Sequence, residues 1–271
     1  YAHQWVQTMP LESLRPLTDK TLSFGLLNDV EQWTLLDPVY KAYTKDLCGY
    51  AERGEKEWKR LLGSFFAEGV NIAVVKNDEG QIEGYAVYRL GAPEIPVTEF
   101  VYTTRRAQRG LLNYFYNHRS QGESIRWNEG LHDTGYRFVP DGKTGHTTMP
   151  YMMARIVDVE TALTTVPVNP EAVMMPITLN IKVTDTLCDW NNGVFALSLG
   201  ESTLPNVKRV SAESVDEIDI TIDIGGLTVL LMGAVSAKDL VFEGKLQGES
   251  HWIDYLDMVY PKQNTYINEW W

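Results

Sequence analysis

Five histidines, His3, His118, His132, His146 and His251, are scattered along the chain, with no HExxH spacing and no neighbouring ligand pair to hold a metal. No Gly-x-Ser-x-Gly elbow presents a nucleophilic serine. Cys48 and Cys188 lie one in each half, outside any Cys-x-x-Cys pair, so neither a metal site nor a redox dithiol is expected. Asp216, Asp219 and Asp223 fall at intervals that assign them to turns or solvent-facing positions. One stretch stands apart, the end Tyr266-Ile-Asn-Glu269-Trp270-Trp271. Exposed tails are usually polar and frayed. Two consecutive tryptophans instead imply an end docked against protein.

Stepping outward, the 271 residues suffice for one large domain or two ordinary ones, and 44% hydrophobic with 22% charged residues is a globular composition. A formal net charge of -12 excludes general nucleic-acid binding, which needs phosphate-neutralising cations, and disfavours anionic membranes. It suits a small cationic partner or simply a solubilising surface. The longest apolar run, near Leu227–Val235, is far too short to span a bilayer. Together with the two unpaired thiols this leads to the expectation of a cytoplasmic protein. The first residue is Tyr rather than Met, which leaves three readings of the start open: a processed end, an expression boundary, or a fragment with sequence upstream.

The stretch Met152–Leu163 divides two textures, giving expected domains at 1–160 and 161–271. In the first, residues 1–20 read as a linker or edge strand because of Pro10 and Pro16, and Leu22–Leu27 as a short strand. A helix is expected from Asp37, which caps, with Pro38 at its first position, and a second over Lys56–Phe66. Asn71–Lys76, the turn Asn77–Gly80 and Ile82–Leu90 form a hairpin. Glu94–Tyr102 is a strand, Arg105–Arg119 a helix, Glu123–Asn128 a strand, Gly130–His146 a loop, and Met152–Val159 a closing strand.

In the second domain, Pro167–Pro176 reads as a linker. Strands are expected at Ile177–Thr184, Val194–Leu199, Val207–Val210 and Ile218–Ile224, before Gly225 and Gly226 break the pattern. Helices follow at Leu227–Met232, Ser236–Leu240 and Trp252–Tyr260. The fold class is α+β throughout, the second domain being an antiparallel sheet covered by helices on one face. Asp158 is expected to cap a short helix through Leu163, and Arg155 to pair with a carboxylate across the domain seam.

The first half resembles the GNAT acetyltransferase fold. That fold carries Arg/Gln-x-x-Gly-x-Gly/Ala after its central strand, where backbone N–H groups at a helix N-terminus hold the coenzyme A pyrophosphate. Here the region is Tyr102–Leu112. Gly110 matches the first glycine, but Ala107 replaces Arg/Gln and Leu112 replaces the small residue. Leu112 is expected to crowd the pyrophosphate approach, leaving a GNAT-like mixed sheet without a convincing coenzyme site.

With Arg155–Leu163 joining that unit to one similar to sterol carrier protein 2, the chain resembles the central and C-terminal domains of the Eis (enhanced intracellular survival) acetyltransferases. Gly233–Ala237 and Gly244–Leu246 match the pattern of the C-terminal domain. The resemblance implies an absent N-terminal GNAT domain that binds acetyl-CoA, with no tight binding to this portion. It also implies a small amine acceptor and homo-oligomers of the full-length protein. By the same resemblance, the α-carboxylate of Trp271 is the general base, with Glu269 and Trp270 on the substrate side. Two other functions stay open: a lipid or sterol carrier, marked by a continuous apolar tunnel within residues 170–271, and a non-catalytic interaction module.

Overall fold

The computed structural model describes residues 2–131, 145–200 and 202–269. The chain forms two compact units, one of residues 2–152 with the tail from Tyr266 onward, the other of residues 153–265.

The first unit is built on seven strands: β1 (Ala2–Pro10), β2 (Ser23–Leu27), β3 (Asn71–Lys76), β4 (Ile82–Tyr88), β5 (Glu94–Tyr102), β6 (Ser124–Gly130) and β7 (Gly145–Met152). They lie in the order β2-β3-β4-β5-β6-β1-β7, antiparallel except for β5 and β6. The parallel pair requires a crossover, supplied by α3 (Arg105–Tyr116). Helix α3 covers one face of the sheet, where Leu111 and Phe115 pack with Ala73, Val75 and Phe100. Helices α1 (Trp33–Thr44) and α2 (Glu55–Ala67) cover the other through Leu36, Tyr40, Trp58 and Leu62. Burial on both faces explains why β3 and β4 read as nearly unbroken apolar runs.

Three expectations change here. Residues 2–10 are neither linker nor edge but an interior strand between β6 and β7. Pro10 ends that strand and Pro16 sits in the 3-10 turn after it, so the prolines punctuate the strand without preventing it. Helix α1 starts at Trp33, after a turn capped by Asp29 and Gln32, so Pro38 is inside the helix. Asp37 does not cap; its carboxylate accepts from Trp58 Nε1 at 3.0 Å and from Lys41. Finally, Met152–Val159 is not a strand. Pairing ends at Met152, and Asp158 accepts the Thr161 N–H to start the next helix. Of the expected Gly130–His146 loop, residues 132–144 lie outside the described residues, and Gly145 and His146 belong to β7.

The second unit contains α4 (Val159–Thr165), β8 (Ile177–Thr184), β9 (Gly193–Leu199), β10 (Asn206–Val210) and β11 (Ile220–Asp223), then α5 (Ile224–Leu231), α6 (Ala237–Phe242), β12 (Leu246–Gly248) and α7 (Ser250–Val259). The sheet order is β10-β9-β8-β11-β12, antiparallel but for β8 and β11. Alternation along β8 turns Leu179, Ile181 and Val183 inward, where they pack with Leu227, Leu240 and Leu256 of the helices.

Gly225 and Gly226 do not break this unit; they form the first turn of α5, capped by Asp223, whose carboxylate accepts the Gly226 N–H at 2.6 Å. A Cβ on Gly226 would lie 3.2 Å from Ile222 and 3.3 Å from Lys245, so a small residue is wanted where helix meets strand. The expected Pro167–Pro176 linker contains one 3-10 turn, Pro170–Ala172.

Candidate functional site

The motif region comes first. Thr104 caps α3 by accepting the Ala107 N–H at 3.0 Å, and its own hydroxyl donates to a Glu83 carboxylate oxygen at 3.0 Å. A carboxylate therefore stands at the helix end where an anion would otherwise be welcome. Gly110 is closed off too: a Cβ there would lie 2.8 Å from Leu22 and 2.9 Å from Val75. Its role is tight packing of α3 on the sheet. Leu112 is buried among the core side chains beneath α3, so it does not crowd a pyrophosphate approach; the obstacle is Glu83 with the closed glycine. These residues do not fit coenzyme A.

Pairing between the parallel strands gives the unit its second feature. It runs from Glu94 opposite Ser124 to Val97 opposite Trp127 and stops, although both strands continue. The tail enters at this divergence. Asn268 Nδ2 donates to the Thr98 carbonyl of β5 at 2.7 Å. Gln4 of β1, opposite Gly130 at the end of β6, donates to the Ile267 carbonyl. The Tyr266 N–H donates to the Cys48 carbonyl at 2.9 Å, and the Tyr266 ring sits edge-on to Tyr43. Tyr266, Ile267 and Asn268 are 5%, 6% and 6% exposed, so these three residues are docked.

Glu269 is held by charge. Arg53, in the loop before α2, donates through Nη2 and Nη1 to Glu99 at 2.6 and 3.2 Å, and through Nε to Glu269 Oε1 at 2.6 Å. Tyr85 donates to the same Glu99 carboxylate at 2.7 Å. The guanidinium lies over Tyr40, 4.2 Å from its ring centre, and over Trp58 at 4.7 Å. Burial would by itself make Arg53 easier to deprotonate, but the charge of Glu99 keeps it protonated. Burial, with the Glu269 and Glu99 charges beside it, pushes the Tyr151 hydroxyl well above its ordinary pKa, so it serves as a donor, here to the Glu269 carbonyl at 3.3 Å.

Of the residues singled out from the sequence, Glu269 thus faces a guanidinium. Trp270 and Trp271 lie outside the described residues. Arg155 pairs with Asp185 at 2.5 Å, within the second unit and not across a seam, and Asp158 caps α4 as expected. Asp219 accepts the Asn180 N–H at 2.7 Å and Asp223 caps α5, both structural tasks. His118 contacts the Tyr114 carbonyl through Nδ1. Among the described residues no group of three or more His, Cys, Asp or Glu is placed to hold a metal, and no helix is long and apolar enough to cross a membrane.

Sequence reasoning missed Arg53 and Glu99. Glu99 carried one signal, a carboxylate directly before the apolar run Phe100–Tyr102. Arg53, in a charged loop, carried none.

In the second unit, buried side chains including Leu179, Leu197, Ile222 and Leu240 pack together between sheet and helices. A surface groove of about 320 Å³ is lined by Val166, Asn169, Leu230, Tyr260 and Gln263, among others.

Residues 49–156 match the family described as acetyltransferase (GNAT) domain, and residues 159–268 match the sterol carrier protein domain. No curated protein matches the sequence. Among solved structures, a conserved protein from Enterococcus faecalis V583, titled a probable N-acyltransferase, is similar at 23% identity and a TM-score of 0.85, over 99% of this chain and 67% of that one. A GCN5-related N-acetyltransferase from Anabaena variabilis is similar at 17% identity and a TM-score of 0.79, over 100% of this chain and 68% of the other. Eis1 from Mycobacterium abscessus is similar at 18% identity and a TM-score of 0.66, again over 100% and 68%. The likenesses establish a GNAT-like unit joined to a unit of sterol carrier protein type.

Proposed function

We propose that this chain is the substrate-side and scaffolding portion of an acetyl-CoA-dependent amine N-acetyltransferase, with acetyl-CoA held by a domain upstream. The family match to a GNAT domain supports acyl-CoA-dependent chemistry in general. The obstructed motif, with Glu83 at the α3 N-terminus and Leu22 and Val75 against Gly110, supports a coenzyme site outside this chain.

The observation that carries the reading is the docked tail. Residues 266–269 are tied down by backbone, amide and carboxylate contacts, and that anchorage is what a chemically useful end requires. An α-carboxylate, with a reference pKa of about 3.3–3.7, is ionised at neutral pH. It takes a proton from an ammonium only within hydrogen-bond reach of it or of a bridging water. In this proposal Trp271 supplies that carboxylate and Trp270 lies beside the acceptor, a small cationic amine suited to the acidic surface. The packed interior of the second unit favours a scaffold over a lipid carrier.

The test supplies this 271-residue chain, and separately the chain extended by its upstream domain, with acetyl-CoA and a series of polyamines and aminoglycosides. Transfer is expected with the extended protein alone. Robust turnover by the 271-residue chain would refute the proposal.

A further inference from the structure

We propose that Arg53 is a positioning residue for the transfer, and that Glu269 is its grip on the tail and not a charge offered to the acceptor amine. The inference rests on the proposed function, because placement of the tail matters to turnover only if the residues after Glu269 take part.

All three nitrogens of the Arg53 guanidinium are engaged. Nη1 and Nη2 are committed to Glu99, and the Tyr40 and Trp58 rings set the guanidinium plane. That leaves Nε, and it points at Glu269. The preceding contacts hold the peptide as far as Asn268, through Cys48, Gln4 and Thr98. At Glu269, the last described residue, the chain is held by the Arg53–Glu269 bond and by the Tyr151 hydroxyl on the Glu269 carbonyl. Arg53 therefore fixes Glu269, the residue from which the two tryptophans follow in sequence.

The same geometry argues against a substrate-facing role for Glu269. Its carboxylate is 10% exposed and already in a charge-assisted bond with a guanidinium that is itself 2% exposed. Glu99, Arg53 and Glu269 together keep one net negative charge, but Glu269 Oε1 is already bonded to the guanidinium and is not free to bond an ammonium. Placement has greater leverage, because a shift of about 1 Å in a reacting group costs on the order of a hundredfold in rate.

Glu269→Gln and Glu269→Ala separate the two roles. Glutamine keeps an oxygen that accepts from Arg53 Nε and drops the charge; alanine drops both. Neither substitution leaves Arg53 without Glu99, so the fold is spared. The variants are made in the protein carrying the upstream domain, with acetyl-CoA and spermidine as substrates, and amide exchange is followed over residues 266–269.

For Glu269→Gln, exchange near that of the parent and kcat within about threefold are expected. For Glu269→Ala, faster exchange at Asn268 and Glu269 should accompany a fall in kcat of about a hundredfold, with little change in KM for the amine. Arg53→Lys should follow Glu269→Ala, since an ammonium cannot reproduce the three-way fork.

Equal losses in the Gln and Ala variants, expressed as a raised KM for spermidine, would overturn the proposal in favour of a charge facing the amine. Unchanged exchange and kcat in Glu269→Ala would overturn it as well. If the extended parent transfers nothing, the function fails; faster exchange in Glu269→Ala would then still show the grip, and unchanged exchange would remove it.

Discussion

Arg53 and Glu99 form an ion pair at 2.6 Å with both side chains 2% exposed, inside the unit and not on its surface. Burying two such charges is costly unless every hydrogen-bonding site on them is used. Here Tyr85, Glu269 and two aromatic faces complete the arrangement. Removing the guanidinium leaves the buried Glu99 and its neighbour Glu269 without their cation. Arg53→Met should therefore lower the stability of the first unit by about 3–5 kcal/mol. Urea unfolding measures this, and Arg53→Met with Glu99→Met should cost less than Arg53→Met alone.

Gly110 offers a second test. Leu22 and Val75 lie 2.8 and 2.9 Å from where its Cβ would be. Gly110→Ala should destabilise by about 1–3 kcal/mol through overpacking, although alanine favours a helix. An unchanged or raised Tm would mean that the helix and sheet can part without strain.

The acid side of the stability curve tests Asp185. Burial alone would raise its pKa, but bonds from Asn191, the Leu187 and Cys188 N–H groups and Arg155 together hold it well below the usual carboxylate range. Its contribution is thus present above its unfolded pKa of about 3.9 and is lost as pH falls toward the lower folded value. The parent should lose Tm steadily below about pH 4. Asp185→Asn should be less stable at neutral pH and show a flatter acid limb.

Much of this fold was legible because its signals are local. The strands Asn71–Lys76, Glu94–Tyr102 and Ile177–Thr184 were legible from their β-branched and aromatic runs between turn residues. Asp158 announced α4 through capping chemistry. Gly233 and Gly244, at φ 66° and 73°, end α5 and α6 in the left-handed conformation that glycine takes without strain.

What stayed hidden was long-range or conflicted. Residues 2–10 become an interior strand only because β6 and β7 arrive beside them from more than a hundred residues later. Asp37-Pro38 imitates a helix start, but the Asp29–Gln32 capping box before it is the one that operates. Gly225-Gly226 reads as a break, yet tight packing against Ile222 and Lys245 favours glycine in that turn. The docking of residues 266–268 was legible in the aromatic character of this end. Its anchor was not, because Arg53 and Glu269 are 216 positions apart.

The most direct measurement of the central claim removes Trp271 from the chain extended by the proposed upstream domain and follows acetyl transfer to an amine at saturating acetyl-CoA. Loss of a positioned general base should lower kcat by about 10²–10⁴-fold, with the unfolding midpoint unchanged. Retention of the parent kcat would contradict the claim that this end of the chain takes part in the chemistry.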